Sequence, residues 1–214
     1  MVDSLSLFLS VQSQTEQQRR ERDSMASNSA PIHPGTVERA PSISELSRTE
    51  WARPEYTLPV PSLKFLFHLE CEMDVFHHVG LGPHGDRSTV IFKGGRFEGP
   101  RMRGEILPGG GDWEIVRNDE AAGTQTAHLD TRYNLRTHDG AVIYLQTTGV
   151  RTGRKEVLEK LGEDEGIGAD EFRMRLHCTM ETGDERYKWV NEGVFVASSG
   201  KSGSRVIYDA YELL

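Results

Sequence analysis

The chain has 214 residues and a formal charge of −8 at pH 7, with 36% hydrophobic and 27% charged residues. That is enough for one domain with a core, plus additional polar chain. Residues 1–57 hold 6 Lys/Arg against 8 Asp/Glu, which leaves a net charge of −6 on the remainder. Such a body lacks the positive footprint of a nucleic-acid binder and the basic amphipathic face of a membrane-surface helix, so neither partner is expected.

From Met1 to Leu58 the chain is Ser, Gln, Arg, Glu and Pro with scattered single apolar residues. It cannot bury enough apolar surface to offset its ordering entropy, and residues 1–58 are predicted to form a disordered polar tail. A short apolar patch near Met1 has no basic residues ahead of it, and no run of about 18 apolar residues follows anywhere. A cytoplasmic protein is the expectation. Cys71 and Cys178 fall at apolar-phase strand positions, which predicts two buried free thiols.

The body, residues 59–214, opens with "SLKFLFHLECEMDV". Leu63, Phe65, Phe67, Leu69, Cys71, Met73 and Val75 alternate there with polar residues, the period of two of a half-buried strand. "RSTVIFKGG" predicts a second strand, ended by glycines. "GGRFEGPRMRGEILPGGGDW" follows, with seven glycines and two prolines in twenty positions. Its glycines precede no helix and no Walker-type Lys-Ser/Thr closes it, which removes a phosphate-binding loop. Glycine inside strands marks bulges and bends, and Pro100 forbids central ladder pairing at its position. The block therefore predicts two bent strand pieces and a tight turn that delivers Asp112 and Trp113.

"TAHLDTRYNLRTHDGAVIYLQTTG" places two β-rich runs around His138-Asp139-Gly140, a hairpin signal. "RKEVLEKLGEDEG" predicts the single helix, with Val157, Leu158 and Leu161 on one stripe. "FRMRLHCTMET", "YKWVNEGVFVASSG" and "SRVIYDAYEL" supply the last strands. The fold class is all-β and mainly antiparallel: one β-barrel with a short helix.

Several chemistries are absent. The adjacent His77 and His78 point to opposite faces of a strand, and no His-x-His or Cys-x-x-Cys spacing occurs, so no metal is expected. There is no Gly-x-Ser-x-Gly elbow and no dinucleotide fingerprint. Polar side chains on strands remain. Asp112 either caps its glycine turn or moves a proton. Asp130, Arg132 and Asn134 share one face of "HLDTRYNLR", which is either the wet outside of the barrel or the wall of a ligand cavity. Tyr187, Trp189 and Asn191 share a face of "RYKWVNEG", as a ligand wall or a core edge.

"KGGRFEGPRMRGEILPGGGDW", "DTRYNLRTHDGAVIYLQTTG" and "ETGDERYKWVNEGVFVASSG" together resemble the family designated domain of unknown function 3237, or UPF0311. The resemblance spans Leu63 to Tyr211 and implies a barrel like those of allene oxide cyclase and dirigent proteins. Those barrels bind an apolar substrate inside and steer a cyclisation or coupling without a cofactor. It further implies a role in secondary-metabolite biosynthesis. The positions it points to are Glu98, Arg101, Asp112, Trp113, Asp130, Arg132, Tyr133, Asp139, Tyr187 and Asn191. "VNEG" departs from the pattern by placing Glu192 where a basic residue often stands, which speaks against an anionic ligand there.

The expectation is a cofactor-free isomerase or cyclase acting on an aromatic or polyketide-like molecule. Asp112 or Asp130 would move a proton, and Arg132 or Arg101 would hold an enolate or phenolate oxygen. Glu98, Trp113, Tyr133, Tyr187 and Asn191 would bind the substrate. A non-catalytic carrier of a small apolar ligand is the alternative. No cofactor is expected, and a homo-oligomer is open.

Overall fold

The structure is a computed structural model and describes residues 59–161 and 166–214. The predicted tail, residues 1–58, lies outside the described residues. Nine strands follow in order: β1 (Leu63–Gly82), β2 (Gly85–Glu98), β3 (Arg103–Ile106), β4 (Gly111–Asp119), β5 (Thr124–Thr137), β6 (Val142–Arg154), β7 (Phe172–Glu181), β8 (Phe195–Ser202) and β9 (Arg205–Leu213). All pairings are antiparallel. β1 bonds to both β9 and β2, so the sheet closes into a ring.

The Gly-rich block explains how the ring closes. β2 pairs with β3 through Gly95–Glu98 and with β4 through Asp86–Ile91. β5 likewise pairs with β3 at Leu135–Thr137 and with β4 at Thr124–Arg132. β3 and β4 are thus one interrupted strand, broken by an excursion at Leu107–Gly110, and nine strands fill eight positions in the ring. Opposite the break, Gly94 sits at φ +122°, and a Cβ there would lie 2.7 Å from the Ile106 carbonyl oxygen. Only glycine takes that conformation without strain. Gly109, at φ +95°, turns the chain back, and backbone bonds between Phe92 and Gly109–Gly110 hold the excursion against β2.

An eight-position barrel has an interior just wide enough for side chains to fill it, or to hold one small ligand. Here the middle is filled. Phe67, Leu69, Phe97, Tyr133, Leu135, Leu145, Phe195 and Tyr208 are buried. Phe67 packs against Phe97 with centroids 5.7 Å apart, and Phe92 stacks on Tyr133 at 5.0 Å. Cys71 and Cys178 are free and buried in the same core, and burial pushes both thiols up to about 12.

Three local expectations are corrected. The alternation of β1 does not run unbroken from Leu63. Pairing with β9 skips Leu66, and this bulge leaves Leu63 and Phe65 outside while Leu66 and Phe67 turn inward. β1 also outlasts its β9 partner, which ends at the Glu72–Arg205 pair. Beyond that point it pairs with β2 alone as a projecting hairpin, on which Val75 and Val79 are exposed and Leu81 is 86% exposed.

The predicted helix is one turn, α1 (Lys155–Leu158), although its stripe of Val157, Leu158 and Leu161 is buried as expected. Residues 162–165 lie outside the described residues. Finally, "YKWVN" is no strand. Lys188–Asn191 form a 3-10 turn closed by Val190 N–H to the Tyr187 carbonyl, so Tyr187, Trp189 and Asn191 do not share a sheet face.

Candidate functional site

Between the filled core and one end of the barrel lies a cavity of about 320 Å³. Its walls are apolar on most sides: Met73 and Phe76 from β1, Val90 and Phe92 from β2, Met174 from β7 and Val206 from β9. Into it project four ionisable side chains, Asp112 and Glu114 from β4, Arg151 from β6 and Lys201 from β8, with Asp74 exposed at the rim.

Strand alternation selects these residues. Asp112 and Glu114 are two apart on β4 and turn inward, while Trp113 between them faces out at 39% exposure. Arg151 is in phase with Ile143, Leu145 and Thr147, all buried on β6. Lys201 is in phase with Phe195, Ala197 and Ser199 on β8. One level deeper, the hydroxyls of Thr131 and Thr147 bond to each other across β5 and β6.

Asp112 is 9% exposed, and its carboxylate accepts the backbone N–H of Asp130 at 3.0 Å. That bond crosses to β5, so Asp112 does not cap the glycine turn that precedes it. Desolvation pushes its carboxyl up to about 7, and the neighbouring Glu114 charge adds to the rise. The Asp130 N–H and the Arg151 charge oppose the shift only in part. Both forms of this acid are therefore populated at neutral pH.

Arg151 donates through Nη2 to Glu114 Oε2 at 3.3 Å, with both side chains only 12% exposed. Its Nε is buried and has no acceptor. Lys201 is half-buried and has no hydrogen-bond or ion-pair partner among the described residues. Burial, and then the Arg151 charge, hold its amine below the usual lysine range, while Glu114 acts the other way.

The other residues singled out in the sequence lie elsewhere. Asp130 and Arg132, expected to face the cavity, are on the outer wall. They form an ion pair at 3.1 Å, Gln146 donates to Asp130 at 2.8 Å, and the Arg132 guanidinium lies 5.6 Å from the Trp113 ring centroid. Their placement follows the pleat. Leu129, Thr131, Tyr133 and Leu135 take the inward phase of β5, which leaves the alternate residues outside. Glu98 is exposed on the outer face of β2, beside Arg103 and His138.

Arg101, Tyr187 and Asn191 belong to the opposite end of the barrel, where β5 finishes. Arg101 stacks over Trp189 at 3.5 Å and pairs with Glu212 at 3.1 Å. Tyr187 donates to Asp139 at 3.0 Å, and the Asn191 amide brackets the backbone of Thr182 with bonds of 2.8 and 2.9 Å. These contacts lock loops together. Of the nine predicted site residues, only Asp112 lines the cavity; Tyr133 lies beneath it, stacked on Phe92. Glu114, Arg151 and Lys201 were not singled out as site residues. The signal that could have found them is a charged residue in the apolar phase of a strand.

A larger groove of about 680 Å³ crosses the outer face of β6, β7 and β8, lined by Val150, Leu176 and Val196 with Arg173, Arg175 and His177. It contains no carboxylate and opens away from the barrel interior. Among the described residues no three His, Cys, Asp or Glu side chains group as a metal ion requires, and no helix is long and apolar enough to cross a membrane.

This architecture is shared. The UPF0311 protein of Rhodopseudomonas palustris is 30% identical over 156 residues, covering 73% of this chain and 99% of that protein. A UPF0311 protein of Clostridium acetobutylicum is 31% identical over 129 residues, covering 60% of this chain and 78% of its own length. A solved β-barrel-like protein from Acinetobacter baumannii is 36% identical with a TM-score of 0.63, and the match covers 74% of this chain and 99% of that one. The model of the family described as protein of unknown function (DUF3237) matches residues 61–213, the whole barrel, and the chain belongs to that family.

Proposed function

We propose that the end cavity is a small-molecule site and that the barrel is a cofactor-independent isomerase or cyclase, with Asp112 as the group that moves the proton. The observation that carries this reading is the Asp112 carboxyl, buried beside Glu114 in a largely apolar-walled cavity of about 320 Å³, with its pKa raised to about 7. General acid–base catalysis works best when the acting group titrates near the working pH, because it then both takes and returns a proton readily. Phe76, Phe92 and Met174 offer flat and adaptable apolar surface to an aromatic or polyketide-like molecule. Folding such a molecule into a reactive shape supplies a large part of the rate without a nucleophile. A place in secondary-metabolite biosynthesis fits substrates of this kind.

The test has two stages. Deleting the gene and profiling metabolites identifies an intermediate that accumulates, and the purified protein is then assayed for converting it. Asp112→Asn should lower turnover by roughly 10²–10⁴-fold, while leaving binding of the intermediate within a few-fold. Unchanged turnover in Asp112→Asn refutes the catalytic role. Tight binding with no conversion by the wild-type protein identifies a carrier instead.

A further inference from the structure

We propose that Lys201 and Arg151 form an anchor for an acidic oxygen, so that the ligand of the end cavity is an organic anion: an apolar body carrying a carboxylate or an ionised enol or phenol. This deepens the reading of the cavity as a ligand site and rests on it.

The first support is unmet donor capacity. Arg151 spends one terminal nitrogen on Glu114, while its Nε–H is buried without an acceptor. A buried donor left unpaired costs about as much as a lost hydrogen bond, so native structures seldom keep one unless another group completes it. Lys201 adds an ammonium that no described residue accepts from. Two cationic side chains with open donors thus line one cavity, together with Asp112 and Glu114 and walls that are otherwise largely apolar.

The second support is charge. Glu114 and Arg151 balance each other at 3.3 Å. Asp112 is partly protonated at neutral pH, and Asp74 is exposed at the rim, where solvent screens it. β1, β2, β7 and β9 contribute only apolar groups to the cavity apart from that aspartate. Only the ionised fraction of Asp112 is left to offset the Lys201 cation, so the interior keeps positive charge that an anion entering the cavity neutralises.

The third support is placement. β8 stands four positions from β4 in the eight-position ring, so Lys201 and Asp112 approach from facing walls. A ligand held by its acidic oxygen at Lys201 and Arg151 extends across the cavity toward the Asp112 carboxyl. That is the arrangement in which one end fixes orientation and the other meets an acid or base. Arg132 and Arg101, the oxyanion holders expected from the sequence, both lie outside the cavity.

The test is a binding comparison by calorimetry, using 2-naphthoate, its neutral isostere 2-naphthamide, and 4-nitrophenolate. Charge-assisted hydrogen bonds of this kind predict that an acid binds about tenfold or more tighter than the amide. Preference for naphthoate over nitrophenolate identifies a carboxylate as the natural group, and the reverse identifies an enol or phenol oxygen. Lys201→Met should remove most of the acid's preference over the amide, leaving only what Arg151 supplies, and Lys201→Arg should retain most of it. Thermal unfolding of each variant confirms that the barrel is intact. Equal binding of acid and amide overturns the proposal, as does full retention of the preference in folded Lys201→Met, or absence of acid binding at millimolar concentration. Loss of turnover in Asp112→Asn without any acid preference would sink the anchor and spare the catalytic reading. Acid preference with unchanged Asp112→Asn turnover would do the opposite.

Discussion

Replacing Asp112 with Asn should change how stability depends on pH, and the size of the change follows from its surroundings. Its carboxyl is raised from 3.8 to about 7, chiefly by burial. A raised acid binds its proton more tightly in the folded state than in the unfolded one. Its stabilising effect is therefore complete below the unfolded pKa, near 4. It declines as pH rises and is gone once pH passes the folded value near 7. At about 1.36 kcal/mol per pH unit the full span amounts to roughly 4 kcal/mol, of which about 2–3 kcal/mol falls between pH 5 and pH 7.

Asn can still accept the Asp130 N–H, but it has no proton to lose. Urea denaturation of wild type and variant at pH 5, 6, 7, 8 and 9 isolates the effect, because ionisations common to both proteins cancel in the difference. The variant should gain on the wild type by about 2–3 kcal/mol from pH 5 to pH 7 and little beyond pH 8. A difference that stays constant from pH 5 to pH 9 would mean that Asp112 ionises as a solvated carboxylate does. It would then be a poor proton carrier at neutral pH, and the catalytic proposal would lose its physical basis.

Tyr187→Phe removes the hydrogen bond to Asp139 at the far end of the barrel. It should lower the thermal midpoint by a few degrees and leave ligand binding in the Asp112 cavity unchanged, a separation that calorimetry and a melting curve check together. Cys71 and Cys178, whose thiols are pushed up to about 12, should resist a thiol-specific disulfide reagent in the native protein and react promptly once urea unfolds it. Rapid native-state labelling would place them outside the core.

The sequence made the barrel readable because its strands are half-buried in the simplest way. Phe172 to Met180 alternate with charged and polar residues, and the structure buries every second one. The Asp139-Gly140 hairpin appears where its turn residues require, with Gly140 at φ +90°. What alternation cannot show is where it slips. The bulge at Leu66 depends on how β9 lies against β1, and the 3-10 turn at Lys188–Asn191 is held by the Thr182–Asn191 bonds, contacts that no local pattern encodes. The site was half legible for a related reason. Asp112 stood out because glycines precede it. Asp130 and Arg132 stood out because they are charged, yet their own strand already assigned them outward by giving Leu129 and Tyr133 the inward phase. Glu114, Arg151 and Lys201 were hidden in apolar phases, and only closure of the ring brings β4, β6 and β8 around one space.

That concealment is itself informative about why the residues are there. Charges on the outer wall, such as Asp130 with Arg132 or Glu105 with Arg136, are partly solvated and contribute a few tenths of a kcal/mol each at little desolvation cost. Those in the cavity face a different balance. Glu114 and Arg151 are largely removed from water, Asp112 is held partly neutral, and the Lys201 side chain has no partner among the described residues. Replacing a buried ion pair by apolar side chains of similar volume is commonly neutral or stabilising by about 1–4 kcal/mol. The rest of this barrel shows that its interior readily accepts such side chains, with Phe67, Phe97 and Phe195 packed at its centre. A barrel built for stability alone would continue that packing to both ends. At one end it instead gives way to four ionisable groups around an open cavity, an arrangement that weakens the fold and that a bound anion would repair.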